Sequence, residues 1–570
     1  MTYDLLLINA HRQYEIEGGG FLCDWLGIYM LASYMEQNGY SARAFAGFAH
    51  EVAPLLEAEM PNGVKVLGFA CDYENRSEVM HFCRLARKRW GIPVIVGGPQ
   101  AVALDGEFLR QSGALAVVRG EGELPLMALM QFLVDGSGRL EDIPGIVYLD
   151  SRGEERTNPA PPPIANLDAL PFIDPTLVLG KRFRSNTASF LTSRGCPFRC
   201  AFCYEGGNTR SVRWRSVKNV MDEVRLTLDA NPHIRFILFT DDTFTLNAGR
   251  VRDFTEALKE YRSQRDFCWF SEAHPQTILR HPELLPLMVD AGLASLQIGV
   301  ESGDERILRA YNKKTTPGMV EEAVSICREA CVPHLVANII VGGAFESEES
   351  VARSQDFGLH LLEKSAGMLE LYAVHFWPLP NTAMTTRPQD FGMEILDPQS
   401  LTSATDYPVV RCGSLTPERL SELRADMAAA FKKRIRELAT QLPLPTVERA
   451  LRYWHRYGLH TGYVEALLQV TRYRRFVLLL ESGAVRRADD IPEHEIGHWH
   501  PQRQCMPLTI KGCHFAEDLP LDAEAYNVLL ASAGRMTVDE AAAWCGMSRP
   551  DFLAVARRLE EAMALAFCRY

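Results

Sequence analysis

Short apolar runs alternate with amphipathic segments along the first 140 residues. The runs with the length and composition of buried strands lie at 5–9, 42–45, 64–70, 93–96 and 114–118. Segments with apolar residues at helical spacing lie at 21–38, 78–90 and 124–134. Strands that alternate with helices in this way predict an α/β fold with a parallel, doubly wound sheet. We therefore expect a Rossmann-like domain over residues 1–140.

The same alternation returns between residues 186 and 400. Its six predicted strands lie at 188–192, 235–240, 267–271, 295–300, 333–341 and 368–374. The predicted helices lie at 217–229, 251–262, 319–330 and 347–362. A complete parallel (β/α) barrel has eight strands, so six strands predict a partial barrel. Functional groups in such a barrel lie at the carboxyl ends of its strands.

Two other regions differ from this pattern. Residues 141–185 are rich in proline, which fixes φ and removes a backbone donor, so this region reads as a semi-rigid linker. Residues 401–570 are mostly helical in pattern, with helices predicted at 417–440, 446–457, 463–480 and, as several short ones, over 522–567. The last segment resembles a small helical or winged-helix module and could bind a substrate.

Composition narrows the function. The chain has 570 residues and a net charge of −12, which argues against a nucleic-acid-binding surface as its main role. Fourteen irregularly spaced cysteines do not form a secreted disulfide framework. We see no signal peptide and no apolar run of about 18 residues, so we expect no membrane span and a reducing, cytoplasmic location.

Three cysteines in one short loop carry the strongest chemical signal. Cys196, Cys200 and Cys203 are spaced C-x3-C-x2-C within residues 194–204. Thiolate sulfur is the usual ligand of iron–sulfur clusters, and a closed site takes four protein ligands. Three ligands leave one iron of a [4Fe–4S] cluster open. Three buried free cysteines are the alternative, but core cysteines rarely share a loop with glycine and proline.

This loop resembles the signature of the radical S-adenosylmethionine (SAM) superfamily, C-x3-C-x-Φ-C with an aromatic residue at Φ. Phe202 occupies that position, and Gly195-Cys196-Pro197 begins the motif. The resemblance implies a [4Fe–4S] cluster on the three catalytic cysteines and SAM on the open iron. It also implies cleavage of SAM to a 5′-deoxyadenosyl radical by an electron from an external donor such as flavodoxin or ferredoxin.

Carboxylates follow three of the barrel strands. Asp241 and Asp242 end one strand, and Glu272 and Glu301 end two others. Carboxylates at these ends could accept hydrogen bonds from the ammonium and ribose hydroxyls of SAM. Helix capping is an equal alternative for Asp241, but glutamate is not a preferred cap. The motifs Asp-Asp-x-Phe, Gly-Val-Glu-Ser-Gly and Trp-Arg-Ser resemble the cobalamin-dependent subclass of the superfamily. In that resemblance, Gly342 and Gly343 approach the adenine of SAM.

The strand ends of the first domain form a second candidate site, because ligands of doubly wound sheets bind there. Its predicted residues are Asn9, Cys71, Asp72, Tyr73, Arg76, Gly97, Gly98, Pro99, Gly120, Glu121 and Gly122. Tight turns alone could explain the glycines. The G-x-G-x-x-G fingerprint of NAD binding is absent after the first strand. A Rossmann-like domain of this kind, placed before the cysteine loop, resembles the cobalamin-binding radical SAM proteins.

The cobalamin prediction has one departure from other B12 proteins. No Asp-x-His-x-x-Gly loop follows the first strand, and His11 lacks the flanking pattern. We therefore expect no protein histidine below cobalt. The lower face would meet Cys71, Asp72, Tyr73 or Arg76.

The combined resemblance implies a cobalamin-dependent C-methyltransferase that acts on a small-molecule or peptide natural product. Three alternatives stay open. They are a non-methylating rearrangement or cyclisation, methyl transfer to an sp2 carbon without the deoxyadenosyl radical, and a non-catalytic carrier or sensor of cobalamin. The intact cysteine loop argues against a sensor, which needs no open iron.

One further motif lies near the end of the chain. Residues 494–498, His-Glu-Ile-Gly-His, formally match H-E-x-x-H. Gly497 and Pro492 argue against a metalloprotease helix, so we expect an exposed polar loop or a substrate-facing patch. The cysteines of this region form no C-x2-C pair, and we expect no second cluster.

Overall fold

The computed structural model describes residues 2–11, 25–72, 75–183, 185–209, 211–396, 407–469, 485–486, 505–509, 522–533, 536–561 and 565–569. Tyr73 and the His-Glu-Ile-Gly-His motif lie outside these ranges. The chain forms two compact units. The first comprises Met1–Ile326, Ala337–Phe357 and Tyr372–Ala428, and the second comprises Cys327–Val336, Gly358–Leu371 and Ala429–Tyr570.

A seven-stranded sheet forms the N-terminal part of the first unit. Its strands are β1 (Leu5–His11), β2 (Ala42–Phe48), β3 (Val66–Ala70), β4 (Val94–Gly97), β5 (Ala116–Val118), β6 (Ile146–Leu149) and β7 (Glu155–Thr157), in the order β2-β1-β3-β4-β5-β6-β7. The helices are α1 (Leu26–Gln37), α2 (Ala49–Glu59), α3 (Arg76–Trp90), α4 (Gly106–Ser112) and α5 (Glu123–Leu133). The first five strands pair in parallel, which confirms the predicted fold class.

Both faces of this sheet are buried. Along β1, Leu6 and Ile8 belong to one apolar core, whereas Leu5 and Leu7 belong to a second core on the opposite face. A strand covered on both faces is apolar at every position, which explains the continuous apolar runs in the sequence.

The sheet extends beyond the predicted boundary at residue 140. Strands β6 and β7 pair antiparallel with their neighbours and carry the sheet to Thr157, inside the region assigned to the linker. All three residues of β7 are exposed, so this edge strand has no apolar pattern to reveal it. The proline-rich segment begins after this hairpin.

The second sheet has six strands, as predicted. They are β8 (Thr187–Phe190), β11 (Phe236–Phe239), β12 (Cys268–Ala273), β13 (Leu293–Glu301), β14 (His334–Val341) and β15 (Leu369–His375), in the order β15-β14-β13-β12-β11-β8. Two short strands, β9 (Ser193–Arg194) and β10 (Arg213–Trp214), pair on either side of the cysteine loop. The helices are α6 (Tyr204–Asn208), α7 (Val217–Ala230), α8 (Ala248–Arg262), α9 (Pro275–Arg280), α10 (Leu284–Asp290), α11 (Glu305–Ala310), α12 (Pro317–Glu329) and α13 (Glu348–Lys364).

The remaining elements follow the barrel. They are α14 (Ala383–Thr386), the antiparallel pair β16 (Met393–Ile395) and β17 (Val410–Cys412), α15 (Pro417–Ala439), α16 (Leu444–Tyr457) and α17 (Gly462–Gln469). Near the C-terminus, α18 (Ala523–Ala533), α19 (Val538–Trp544) and α20 (Arg549–Glu561) share one apolar core. The strands β18 (Val485–Arg486), β19 (Cys505–Thr509) and β20 (Leu565–Arg569) form an antiparallel sheet. None of the described helices combines the length and apolarity needed to cross a bilayer.

Candidate functional site

The carboxyl ends of β1, β3, β4 and β5 border a cavity of about 540 Å³. We call it the strand-end cavity. Nine of the predicted residues line it: Asn9, Cys71, Asp72, Gly97, Gly98, Pro99, Gly120, Glu121 and Gly122. Arg76 does not line it, because its guanidinium lies over the Phe108 ring, 5.7 Å from the centroid. The other lining residues are largely apolar, including Leu7, Leu26, Ile28, Phe69 and Ile95.

The turn after β4 requires glycine. Gly98 has a φ of +101°, and a Cβ atom there would lie 2.6 Å from the carbonyl oxygen of Cys71. The Cys71 N–H donates to the Gly97 carbonyl at 2.7 Å, and the Gln100 N–H donates to the Cys71 carbonyl at 3.0 Å. The turns after β3 and β4 therefore pack backbone against backbone at the floor of the strand-end cavity.

Asn75 is a buried residue that supports two lining residues of this cavity, and the sequence did not reveal it. Its amide Nδ2 donates to Asn9 Oδ1 at 3.2 Å. The Asp72 N–H donates to Asn75 Oδ1 at 2.9 Å, and the Asn75 N–H donates to Asp72 Oδ1 at 3.0 Å. These reciprocal bonds join Asp72 to Asn75, the residue before α3. In the sequence, an isolated asparagine at the start of a helix gives only a capping signal.

The strand-end cavity fits cobalamin. Its apolar walls suit the faces of a corrin ring, and the asparagine, aspartate and glutamate side chains at its edge can bond the ring's amides. No histidine is among the described residues that line it. Burial raises the pKa of the Cys71 thiol well above its usual value. A cobalt without a protein histidine below it remains a prediction.

The cysteine loop is supported by two other segments of the barrel. The Ala201 N–H donates to the Tyr311 carbonyl at 2.8 Å, and the Asn312 side chain donates to the Arg199 carbonyl at 2.7 Å. The Phe198 ring stacks on His274 at 3.8 Å between centroids. The loop is thus held by its backbone and aromatic rings, and the Cys196 thiol lies 3.7 Å from the Thr243 hydroxyl.

The three thiols fit a cluster rather than one ion. Cys196 and Cys200 are buried and Cys203 is partly buried. Among the described residues, no three His, Cys, Asp or Glu side chains are placed to hold a single metal ion. Each thiolate of a [4Fe–4S] cluster binds a different iron, so the sulfurs need not converge on one point. Burial raises the pKa of Cys203 to about 12, so cluster assembly has to displace the thiol protons.

A buried ion pair lies beside this loop. Lys313 Nζ is 2.7 Å from Glu301 Oε1, and the two side chains are 10% and 9% exposed. The ammonium also lies 5.8 Å from the Phe202 centroid. Glu301 has a φ of 62°, a strained value for a residue other than glycine, and such strain concentrates at functional sites. The sequence predicted Glu301 but not Lys313.

Two of the predicted carboxyl groups have strongly raised pKa values. The Asp242 side chain opens to a cavity, but the surrounding protein limits its hydration. This desolvation, together with the nearby charges of Glu205 and Glu272, raises the pKa of Asp242 to about 7. Burial is also the main cause that raises the pKa of Glu272 to about 7. Both carboxyl groups therefore favour a positively charged ligand group, which would restore their ionisation.

The Asp241 carboxylate bonds a neighbouring segment of the barrel. This carboxylate accepts bonds from the Thr192 N–H at 2.7 Å and the Ser193 N–H at 3.1 Å, and it also bonds the Thr192 hydroxyl. Asp241 thus positions the segment that leads from β8 to the cysteine loop, and its predicted contact with SAM stays untested. At the end of β14, a Cβ on Gly343 would overlap the Tyr311 hydroxyl, so Gly343 makes room for the ring that packs on Phe202.

A second cavity, of about 590 Å³, adjoins Asp242. We call it the central cavity. It is lined by the linker residues Pro161, Pro162 and Pro163, by both flanks of the cysteine loop, and by Glu205 and Asp242. Five residues line both cavities: Gly120, Glu121, Glu123, Arg194 and Thr240. The central cavity therefore connects the strand-end cavity with the cysteine loop.

The fold and the two sites define a radical SAM protein with a cobalamin-binding domain. Residues 190–358 match the model of the radical SAM superfamily, and residues 19–130 match the model of the B12 binding domain. The chain belongs to the cobalamin-binding radical SAM family, whose cofactors are a [4Fe–4S] cluster, SAM and cobalamin.

Two sequence relatives agree with this assignment, and one solved structure shares the fold. The chain is 31% identical to an uncharacterized methyltransferase of Pyrococcus horikoshii, over 59% of this chain and 73% of the relative. It is 27% identical to an anaerobic magnesium-protoporphyrin IX monomethyl ester cyclase of Rubrivivax gelatinosus, but spans only 47% of that protein. The solved structure of the cobalamin-dependent SAM radical enzyme OxsB has a TM-score of 0.64, 17% identity, and coverage of 84% of this chain and 72% of the other.

Proposed function

We propose that this protein is a cobalamin-dependent radical SAM methyltransferase that methylates a carbon atom of a small-molecule or peptide substrate. The observation that carries the proposal is the pair of adjoining cavities. The strand-end cavity fits cobalamin, and the central cavity extends from it to the cysteine loop and Asp242. A substrate in the central cavity would lie between both cofactors. The methyltransferase relative supports the same reaction.

The residues divide into three groups. Cys196, Cys200 and Cys203 would hold three irons of the cluster. Lys313 would bind the carboxylate of SAM, and Asp242 and Glu272 would receive its ammonium group, since opposite charges attract strongly in an enclosed site. When bound, the cluster and SAM supply a hydrogen-abstracting radical, and cobalamin supplies the methyl group. The chain itself orients these groups and limits water in the central cavity.

The proposal extends to partners and location. The reaction needs an external one-electron donor, for which a flavodoxin or ferredoxin is suited, and a reducing, cytoplasmic compartment protects the cluster. The net charge of −12 disfavours a nucleic-acid substrate.

The cyclase relative supports a second candidate, a non-methylating radical reaction. Anaerobic reconstituted protein with SAM, hydroxocobalamin and a reductant separates the candidates through two products of SAM. S-adenosylhomocysteine reports transfer of the methyl group from SAM to cobalamin, and 5′-deoxyadenosine reports radical formation. We expect both products. Deoxyadenosine alone would favour the cyclase type, and S-adenosylhomocysteine alone would favour methyl transfer without a radical. Neither product, from protein loaded with iron and cobalt, would contradict the proposal.

A further inference from the structure

Four charged side chains join the turn after β5 to the flanks of the cysteine loop. We call Glu121, Glu123, Arg194 and Arg213 the Arg194 cluster. Arg194 Nη2 is 2.5 Å from Glu123 Oε1, and Arg194 Nη1 is 3.2 Å from Glu121 Oε2. Arg213 Nη1 donates to Glu121 Oε2 at 3.1 Å and to the Ile164 carbonyl at 2.7 Å. The cluster therefore bonds the N-terminal sheet, the linker and the barrel.

The side chains of the Arg194 cluster are buried enough for their charges to interact strongly. The Glu123 side chain is 4% exposed, and those of Arg194 and Arg213 are 16% and 15% exposed. Removing one partner from such a pair leaves a charge buried without compensation, which costs more than the pair itself contributes.

The strand register gives an independent reason to assign the cluster a role. Arg194 and Arg213 are directly opposite each other in the antiparallel pair of β9 and β10. Like charges in opposite positions destabilise a strand pair. Both arginines contact Glu121, and this shared carboxylate offsets their repulsion. The short β9–β10 pair, which brackets the cysteine loop, thus depends on a residue of the N-terminal domain.

The position of the cluster relates it to both cofactors. Glu121, Glu123 and Arg194 line the strand-end cavity and the central cavity alike. Arg194 is also two residues from Cys196, and only Gly195 separates them. Gly195 has a φ of +90°, and a Cβ there would overlap the Ser211 carbonyl, so this connection is tight. A shift of the Arg194 backbone would therefore move Cys196, the first ligand of the iron–sulfur cluster, relative to the strand-end cavity.

We propose that the Arg194 cluster is a positioning device that fixes the separation between bound cobalamin and the iron–sulfur cluster, with Arg194 as its central residue. The inference goes beyond methyl transfer, because it depends on the two cofactors and not on the reaction they perform. It assigns no bond-making role to these side chains. They act through the position of the cysteine loop.

The test compares Arg194→Gln and Arg194→Lys with a matched control, Arg215→Gln. Arg215 forms a 2.6 Å ion pair with Glu223 in the same barrel, the side chains are 8% and 9% exposed, and neither residue lines either cavity. Each protein is reconstituted with iron, sulfide and hydroxocobalamin and reduced without oxygen. The main readout is the electron paramagnetic resonance signal from the magnetic interaction of Co(II) with the reduced cluster, because this interaction depends on their separation.

We expect all variants to load both cofactors. The interaction should change by about threefold or more in both Arg194 variants, the effect expected within one coupled network, and stay unchanged in the control. The double variant Arg194→Gln/Glu123→Gln should restore part of the wild-type signal, because it leaves no unpaired charge at this pair. Arg194→Lys keeps the charge but loses the planar guanidinium whose two terminal nitrogens bond Glu121 and Glu123. This variant tests the proposal if Arg194→Gln does not fold.

A second readout uses the two products of SAM. Methyl transfer to cobalamin depends on the separation between cobalamin and SAM. Deoxyadenosine formation depends instead on the iron–sulfur cluster and SAM. Misplacement of cobalamin relative to the iron–sulfur cluster and SAM should lower the ratio of S-adenosylhomocysteine to deoxyadenosine. General destabilisation of the fold should lower the yields of both products together. Wild-type protein that forms only deoxyadenosine would refute methyl transfer but leave the spin measurement decisive. Arg194 spectra that match wild type, or a wild-type spectrum that is the plain sum of the two cofactor signals, would overturn the proposal.

Discussion

At the scale of single residues, Lys313 is a site residue that the sequence pattern did not predict. It lies twelve positions after Glu301, and only the return of the chain after α11 brings the two together, at 2.7 Å. A lysine followed by a second lysine, Lys314, gives no sign of which one is buried. The structure buries Lys313 and leaves Lys314 exposed.

Replacing Lys313 with methionine should impair SAM binding. The variant removes a buried cation and leaves Glu301, Glu272 and Asp242 to repel the SAM carboxylate. We expect the Kd for SAM to rise more than about tenfold, which corresponds to about 1.4 kcal/mol. Equilibrium dialysis of the iron-loaded protein measures this effect. Lys314→Met is the matched control and should change the Kd by less than about twofold. Equal effects in both variants would exclude a specific role for Lys313.

Glu346 makes a prediction about stability and pH. This residue is 6% exposed, and burial raises its pKa to about 7. Because the folded pKa lies above the unfolded value, the protonated group stabilises the fold at low pH, and this contribution disappears as the pH rises through 7. Wild type should therefore lose apparent Tm relative to Glu346→Gln between about pH 5 and pH 8. A Tm difference that is independent of pH would show that Glu346 is ionised in the fold.

Two adjacent residues can also make different contacts that the sequence pattern does not distinguish. Asp241 and Asp242 follow the same strand, and the sequence treats them alike. In the structure, Asp241 bonds the backbone of Thr192 and Ser193, whereas Asp242 lines the central cavity. Which side chain faces the cavity depends on the geometry of the turn after β11, and no periodicity encodes that geometry.

At the scale of elements, the apolar patterns predicted both sheets, because buried parallel strands are continuous apolar runs. They missed β6, which is largely buried but lies beyond the predicted domain boundary, and several strands that are short or exposed. The edge strand β7 is fully exposed, and the strands β18 to β20 are five residues or fewer in length. Short or exposed strands form because a neighbour offers hydrogen bonds, and such strands carry no periodic signal.

The turn after β4 gives a prediction for one element. Gly98→Ala places a Cβ against the Cys71 carbonyl, so the floor of the strand-end cavity has to shift. We expect hydroxocobalamin affinity to fall by about tenfold or more. Visible absorbance titration measures this change. Gly39→Ala is the control, because Gly39 also has a positive φ, +89°, but has no atom within 4 Å of the added Cβ. Similar losses in both variants would attribute the effect to backbone strain alone.

At the scale of the whole molecule, the two cofactors depend on different sheets. The strand-end cavity is built almost entirely from residues of the seven-stranded sheet and its loops, whereas the three cysteines follow β8 of the barrel. The N-terminal sheet has an apolar core on each face and does not need the barrel to bury its strands. The Arg194 cluster supplies ionic contacts that join the two parts at the cavities.

This division predicts that the cofactors load separately. In Cys196→Ala/Cys200→Ala/Cys203→Ala, we expect iron to be lost and hydroxocobalamin affinity to stay within about threefold of wild type, because the variant leaves Arg194 and its partners in place. Iron analysis and absorbance titration test both points on one preparation. Gly98→Ala is the reciprocal control, with full iron and weakened cobalamin binding. Loss of cobalamin in the triple variant would show that the cluster itself orders the strand-end cavity, and that the two sheets form one cofactor site.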